Sequence, residues 1–361
     1  MKHFIFYMTD FSGGGAESVF IRVANALVKR GHEVSFIIKE NSGELSDTVD
    51  GKINMIQLSK GNIISDILVI RRHLKKNNFA RFYTTLDRPN FVGFLASTLA
   101  GVRKKHFARV AAVHSEHLFH SKIFKRRVLL YMLGLLYPMF GNLVCISDAV
   151  KFDLEKNYRV ARKKIVKIYN PIKPIDDVAP SVVLKSERFP FRILVVGRLV
   201  KQKNVDKIIE VFVKFREREP NSELIILGDG EDRKYLERFA VDKKVKGNVK
   251  FLGFVKNTSY YFKKSNVFIL FSSWEGLPNV VLDALQFNLQ IIVSDAPGGS
   301  RELTGNGRFG FVVKRDDKVG LLEALEMAKS NPMKIDQVDK QNFLSLFDLD
   351  IITDQYEDYS E

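Results

Sequence analysis

Short apolar runs of strand composition alternate with segments of helical periodicity along this chain, and the series occurs twice; no other feature restricts the fold as much. In the first half the runs fall at 3–8, 33–39, 53–58, 81–85, 108–113 and 143–146. In the second half they fall at 191–196, 223–227, 249–252, 267–271, 290–294 and 311–313. Residues 16–30 carry Val19, Val23, Ala26 and Leu27 at helical spacing, and Gly31 follows as a stop. A strand–helix–strand succession builds parallel sheets with helices on both faces, a doubly wound α/β plan. At 361 residues the chain is long for one core. Pro171, Pro174 and Pro180 mark a linker between the two series. The expected division is a domain over 1–172, a domain over 173–345, and a terminal helix over 346–361 with Leu349, Ile352 and Tyr356 at helical spacing. Ligands of paired sheets lie in the crevice between domains, at the carboxyl ends of the strands.

Charge separates the two halves. Residues 1–172 hold 28 Lys plus Arg against 13 Asp plus Glu, whereas 173–361 hold 29 of each, so the whole formal excess of +15 lies in the first half. Such a half suits a polyanionic partner, such as anionic lipid headgroups or a phosphorylated acceptor. Nucleic acid is not expected, because no basic-and-aromatic recognition motif accompanies these bases. Lys122, Lys125, Arg126 and Arg127 lead into the apolar residues 128–140. That pattern fits a surface resting on an anionic inner membrane. It fits equally a buried helix with a solvated entrance, because its apolar residues run all round. The one cysteine, Cys145, sits in an apolar run as a core residue does, and a reduced, cytoplasmic setting is expected, with peripheral membrane contact as the alternative. The apolar start at 3–8 is too short for a signal peptide, and no stretch is long enough to span a bilayer. No metal-ligand cluster is recognisable, so no metal is expected.

Chemistry concentrates between residues 266 and 303. Val267 to Phe271 has strand composition, Ser272 to Pro278 is a loop broken by Gly276 and Pro278, and Asn279 is expected to cap a helix starting at Val280. A carboxylate in the loop (Glu275), a bare helix start and a second carboxylate on the first turn (Asp283) can hold a hydroxylated ring, a phosphate bridge and a second hydroxylated ring. That is the outline of a nucleotide-sugar. The alternative reading makes Glu275 an ordinary loop acid and Asp283 a complement to the helix dipole. Elsewhere, Ser12-Gly13-Gly14-Gly15-Ala16-Glu17 follows the first strand, and Gly197-Arg198-Leu199-Val200-Lys201-Gln202-Lys203 follows the first strand of the second half. Glycines without Cβ permit close approach of a ligand or serve a tight turn. A guanidinium fork with an ammonium suits a diphosphate.

These motifs resemble the GT4-type retaining glycosyltransferases of the GT-B fold, in which two Rossmann-like doubly wound domains face each other across a cleft. The carrying features are Glu275 and Asp283 at the Glu-x7-Glu spacing, the Gly-Gly-Ala-Glu loop at Gly14 and Gly15, the Gly-Arg-Leu stretch with Lys203, the Gly228-Asp229-Gly230 turn and the Leu252-Gly253-Phe254 segment. The second acid is Asp rather than Glu, and its side chain ends roughly 1.5 Å sooner. The resemblance implies that Glu275 holds the transferred sugar and Asp283 the ribose. Gly276, Leu277, Pro278, Asn279 and Val280 would line the donor, Arg198 and Lys203 would hold the diphosphate, and Phe254 would meet the base unless it is a core residue. It also implies that His114 orients the sugar or acceptor, with His117 and His120 as neighbours. Where the family usually has Cys-Gly after the second acid, this chain has Phe287-Asn288, and Asn288 is expected to take the left-handed conformation. The implied activity moves a hexose or N-acetylhexosamine from a UDP-sugar, with no further cofactor, to a glycan or lipid-diphosphate-linked acceptor in surface-glycan synthesis. Two alternatives stand beside it: a GT-B-like UDP-sugar 2-epimerase, and a non-catalytic carbohydrate or lipid-surface binder.

Overall fold

A computed structural model describes residues 1–12, 14–59, 61–121, 123–175 and 191–358. The chain forms two compact units, Met1–Pro171 joined by the segment from Leu346, and Ile172–Ser345. In the first unit, β1 (His3–Tyr7), β2 (Glu33–Ile38), β3 (Asn54–Gln57), β4 (Arg81–Thr85), β5 (His106–Val110), β6 (Asn142–Cys145) and β7 (Ile165–Lys167) make one parallel sheet in the order β3-β2-β1-β4-β5-β6-β7. Its helices are α1 (Gly15–Lys29), α2 (Ile63–Lys76), α3 (Asp87–Ala100), α4 (His114–His120), α5 (Phe124–Leu136) and α6 (Asp148–Lys156). In the second unit, β8 (Phe191–Val196), β9 (Ser222–Leu227), β10 (Val249–Phe251), β11 (Val267–Leu270), β12 (Gln290–Asp295) and β13 (Phe311–Lys314) pair in parallel in the order β10-β9-β8-β11-β12-β13. Its helices are α7 (Val205–Arg218), α8 (Arg233–Asp242), α9 (Ser259–Lys263), α10 (Asn279–Leu285), α11 (Ser300–Leu303), α12 (Lys318–Ser330) and α13 (Gln337–Ser345). The last helix, α14 (Leu349–Glu357), belongs to the first unit.

Alternation along β1 builds both apolar layers of its sheet. Phe4 and Phe6 enter one layer with Phe20 and Leu27 of α1, while Ile5 and Tyr7 enter the other with Ile70 of α2 and Val92 of α3. A strand apolar on both faces is what a sheet covered twice requires. Helix α1 ends as its glycine predicts: Gly31 takes φ +82°, His32 N–H donates to Leu27 O at 3.1 Å, and Gly31 N–H donates to Val28 O at 3.0 Å. The α1 layer also takes Ile352 and Tyr356 from α14. Arg30 fixes that helix outside the layer, reaching Asp350 at 3.1 Å, Asp354 at 2.6 Å and Glu357 at 3.2 Å. In the second unit, Ile193 and Val195 of β8 pack with Ile209 and Phe212 of α7 and with Leu321 and Leu325 of α12.

Two local expectations need correction, and one strand has no counterpart among the expected runs. The strand expected at 108–113 is His106–Val110, because the polar His106 and Arg109 are interior strand residues with partners. His106 meets the Thr84 and Ser97 hydroxyls, and Arg109 donates to Thr85 Oγ1 at 3.1 Å and Asn170 Oδ1 at 2.5 Å. The three-residue β7, following the bases Arg162, Lys163 and Lys164, was too short to carry a periodic signal. Asn288 is not among the residues with positive φ; its side chain instead accepts from Lys340 Nζ at 3.2 Å. Cys145 lies wholly inside β6, where burial pushes its thiol up to about 12.

Candidate active site

The loops at the carboxyl ends of β8, β9 and β10 are sewn together through backbone alone. Gly197 N–H donates to Leu227 O at 2.9 Å, Leu199 N–H to Asp229 O at 2.8 Å, and Gly228 N–H to Gly253 O at 2.7 Å. Gly228 has φ +129°, and a Cβ there would lie 1.9 Å from Gly197 O, so no other residue fits. The Gly-Asp-Gly turn therefore serves the approach of two loops. Arg198 is exposed beside it, and Phe254, beyond β10, is 55% exposed rather than in the core.

After β8 the chain makes a single 3-10 turn, Lys201–Lys203, and Asn204 enters α7 from the left-handed region at φ 49°. This turn is bound to the loop after β11. Asn204 Nδ2 donates to Phe271 O and to Ser273 Oγ, both at 2.9 Å. Gln202 Nε2 donates to Trp274 O at 2.6 Å, and Ser273 N–H returns a bond to Gln202 O at 2.8 Å. The junction carries one ion pair, Lys203 Nζ to Glu275 Oε1 at 2.5 Å, with Glu275 only 7% exposed. A second clamp lies on the other side. Glu275 N–H donates to Pro297 O at 2.8 Å, Gly299 N–H donates to Gly276 O at 2.7 Å, and a Cβ on Gly298 (φ +135°) would sit 2.4 Å from Glu275 O. Two loops thus hold one carboxylate at the carboxyl end of β11. Gln202, Asn204 and Gly298 were not singled out from the sequence; each acts through partners tens of residues away.

Four residues beyond Glu275, α10 begins at Asn279 itself. Pro278 is the cap and contributes no side-chain bond, so the expected Asn279 cap is corrected by one position. Leu277 and Pro278 are buried, Gly276, Asn279 and Val280 are half-buried, and Asp283 is half-buried on the next turn of the helix. A depression lined by Phe262, Lys263, Phe287 and Asn288 adjoins the residues preceding β11 and β12, the opposite end of the sheet from Glu275. Among the described residues there is no group of three or more His, Cys, Asp or Glu able to hold a metal ion.

In the first unit, Gly14 is extended (φ −75°) just before α1, and Gly15 is the helix's first residue. A Cβ on Gly14 would meet Glu17 Oε2 at 2.2 Å, so the glycine accommodates that carboxylate. His114 starts α4 instead of ending a strand. Its Nε2 meets Leu130 O at 2.8 Å and its Nδ1 meets the Tyr137 hydroxyl at 3.0 Å. A carbonyl only accepts, so Nε2 carries the proton and Nδ1 accepts from Tyr137. Burial holds the imidazole pKa below its ordinary value, and both nitrogens are committed to the interior. In this structure His114 joins α4 to α5. Lys125, Arg126 and Arg127 are exposed at the start of α5, with Arg126 3.6 Å from Asp87; Lys122 lies outside the described residues. Helix α5 buries Leu130, Leu133 and Gly134 and leaves Phe124, Val128, Tyr131, Met132 and Leu135 exposed. No helix among the described residues is long and apolar enough to cross a membrane.

Residues 13–174 match the family described as Glycosyltransferase Family 4, and residues 183–342 match the family described as Glycosyl transferases group 1. The chain belongs to the GT4-type glycosyltransferases and has the GT-B fold. It is 26% identical over 338 residues to a Campylobacter jejuni alpha-1,4-N-acetyl-D-galactosaminyltransferase whose name specifies a diphospho-undecaprenol-linked acceptor, covering 91% of this chain and 89% of that one. It is 27% identical over 335 residues to an Escherichia coli alpha-1,3-galactosyltransferase named for UDP-Gal and GlcNAc-diphosphoundecaprenol, covering 86% and 84%. Among solved structures, Anabaena HepE in complex with UDP-glucose superposes with a TM-score of 0.83 at 18% identity, covering 99% of this chain and 98% of that one.

Proposed function

We propose that the chain transfers a hexose or N-acetylhexosamine from a UDP-sugar, with retention, to a lipid-diphosphate-linked or polysaccharide acceptor in surface-glycan synthesis. The observation that carries this reading is the buried Glu275, held at the carboxyl end of β11 by Lys203 and four residues before α10. The donor names UDP-Gal and UDP-glucose among the similar proteins support the nucleotide, and the undecaprenol-linked acceptors support the lipid. The second unit is the donor-binding domain and the first the acceptor-side domain. Glu275 holds the sugar's hydroxyls and stabilises charge at the anomeric carbon. Arg198, Lys203 and the first-turn backbone at Asn279 and Val280 hold the diphosphate, Asp283 holds the ribose, and Phe254 stacks on the base. The acceptor oxygen bonds to the anomeric carbon as the bond from that carbon to the diphosphate oxygen breaks. UDP departs with the electron pair, and the acceptor hydroxyl gives up its proton. We assign the activity to the cytoplasmic face of a membrane, with the bases and apolar side chains of α5 resting on anionic lipid.

The test is thermal unfolding with a panel of nucleotide-sugars and free nucleotides, because a ligand of the native state raises Tm. UDP-sugars should raise it, and Glu275→Ala should keep the response to UDP while losing discrimination among sugars. No shift with any nucleotide would sink the donor assignment.

A further inference from the structure

The Lys203–Glu275 pair joins two groups to which the proposed function gives different ligands: Lys203 the diphosphate, Glu275 the sugar. Resting on that reading, we infer that the pair is a donor-operated latch. Without nucleotide the ammonium holds the Glu275 carboxylate. The arriving diphosphate takes the ammonium, and the carboxylate is released to the sugar.

Three observations support exchange over a static bridge. First, the loops are tied together without the pair. Gln202 to Trp274, Asn204 to Phe271 and Ser273, and the return bond from Ser273 fix the turn to the β11 loop through groups other than the Lys203 ammonium. Second, Glu275 is anchored by its own backbone to Pro297, and Gly276 O accepts from Gly299, so the loop that carries the carboxylate keeps its bonds when the lysine departs. Third, Gly197 places no side chain beside the lysine stem. A Cβ there would lie 3.7 Å from Lys203 Cε, in ordinary contact with a chain that has four rotatable methylenes. In the latch the part that moves is the Lys203 side chain, 15% exposed, between loops tied by other bonds. A diphosphate carries more charge than one carboxylate and competes effectively for the ammonium. The latch also gives the site an order: Glu275 becomes available only when the leaving group is in place, which protects the carboxylate's geometry until a donor arrives.

Exchange has a measurable cost. Lys203 held by Glu275 is not free for phosphate, so apparent nucleotide affinity is the intrinsic affinity multiplied by the fraction of protein with the latch open. Titration calorimetry with UDP, which has no sugar to contact Glu275, therefore separates the models. Glu275→Gln should bind UDP about three- to tenfold more tightly than the parent while losing transfer, and Glu275→Ala should move the same way. A static bridge, with Lys203 contacting both groups, predicts weaker UDP binding in both variants. Simple relief of charge repulsion predicts that Glu275→Gln tightens UDP equally in a Lys203→Met background, whereas the latch predicts no effect there. Unchanged or weaker UDP binding in Glu275→Gln, or tightening that survives Lys203→Met, overturns the latch alone. Failure of the parent protein to bind UDP at all overturns the donor-site reading beneath it.

Discussion

At the residue scale the positions that matter most are those where no substitute fits. Gly298 combines φ +135° with a Cβ position 2.4 Å from Glu275 O, and the obstructing atom is backbone. Gly298→Ala should cost about 1–3 kcal/mol in urea unfolding and weaken UDP-sugar binding by displacing Glu275; unchanged stability would remove the clamp from the account. His114→Ala should leave Leu130 O and the Tyr137 hydroxyl without their partner, at about 1–3 kcal/mol, with UDP affinity unchanged. A selective loss of transfer at parental stability would instead give this histidine the role toward sugar or acceptor. His106 makes a pH prediction. Burial lowers its pKa from 6.5 to about 3. As pH falls below about 6.5 the unfolded chain takes up a proton that the native chain refuses until about 3, so this contribution is complete above 6.5 and shrinks through that window. His106→Gln should flatten this part of the stability–pH profile, and a profile of unchanged slope would count against it.

At the scale of elements, α14 is part of the first unit's core. Tyr356 is fully buried, its carbonyl accepts from the Tyr83 hydroxyl at 2.5 Å and from Arg81 at 2.8 Å, and its ring lies 5.0 Å from that of Tyr83. Tyr356→Ala should cost about 3–5 kcal/mol, the range for emptying an aromatic site. Denaturant unfolding checks it; a cost below about 1 kcal/mol would mean that the helix is dispensable. Helix α5 differs in kind. Its sequence is apolar nearly all round, yet only one stripe is covered. Phe124, at 79% exposure, and Phe119 of α4, at 78%, are large apolar surfaces that a protein alone in water gains nothing by presenting.

For the whole molecule, folding redistributes the charge. The segment from Leu346 brings six acids and no base to the unit that carries α5, so that unit holds +9 of the +15 and the unit with Glu275 and Lys203 holds +6. Membrane attraction through the first half should be electrostatic in range and apolar at contact. Co-sedimentation with vesicles should require anionic lipid, weaken as salt rises, and fall in Phe124→Ser and Arg127→Glu variants, with UDP binding retained. Equal binding to neutral vesicles, or no binding to either, would count against it.

Local periodicity and punctuation determined the alternating strands, the end of α1 at Gly31, and the strand–loop–helix around Glu275, because each depends on residues within a turn or two. The fold class and the donor-side motifs were legible for that reason. Partners far apart in sequence were not. The 72-residue span from Lys203 to Glu275, the clamp of Gly298 on Glu275, the interior bonds of His114 and the buried hydrogen bonds of His106 and Arg109 all arise only when separate strands lie side by side. Which stripe of α5 meets water was likewise decided by packing, because an all-round apolar helix has no preferred face until a neighbour covers one.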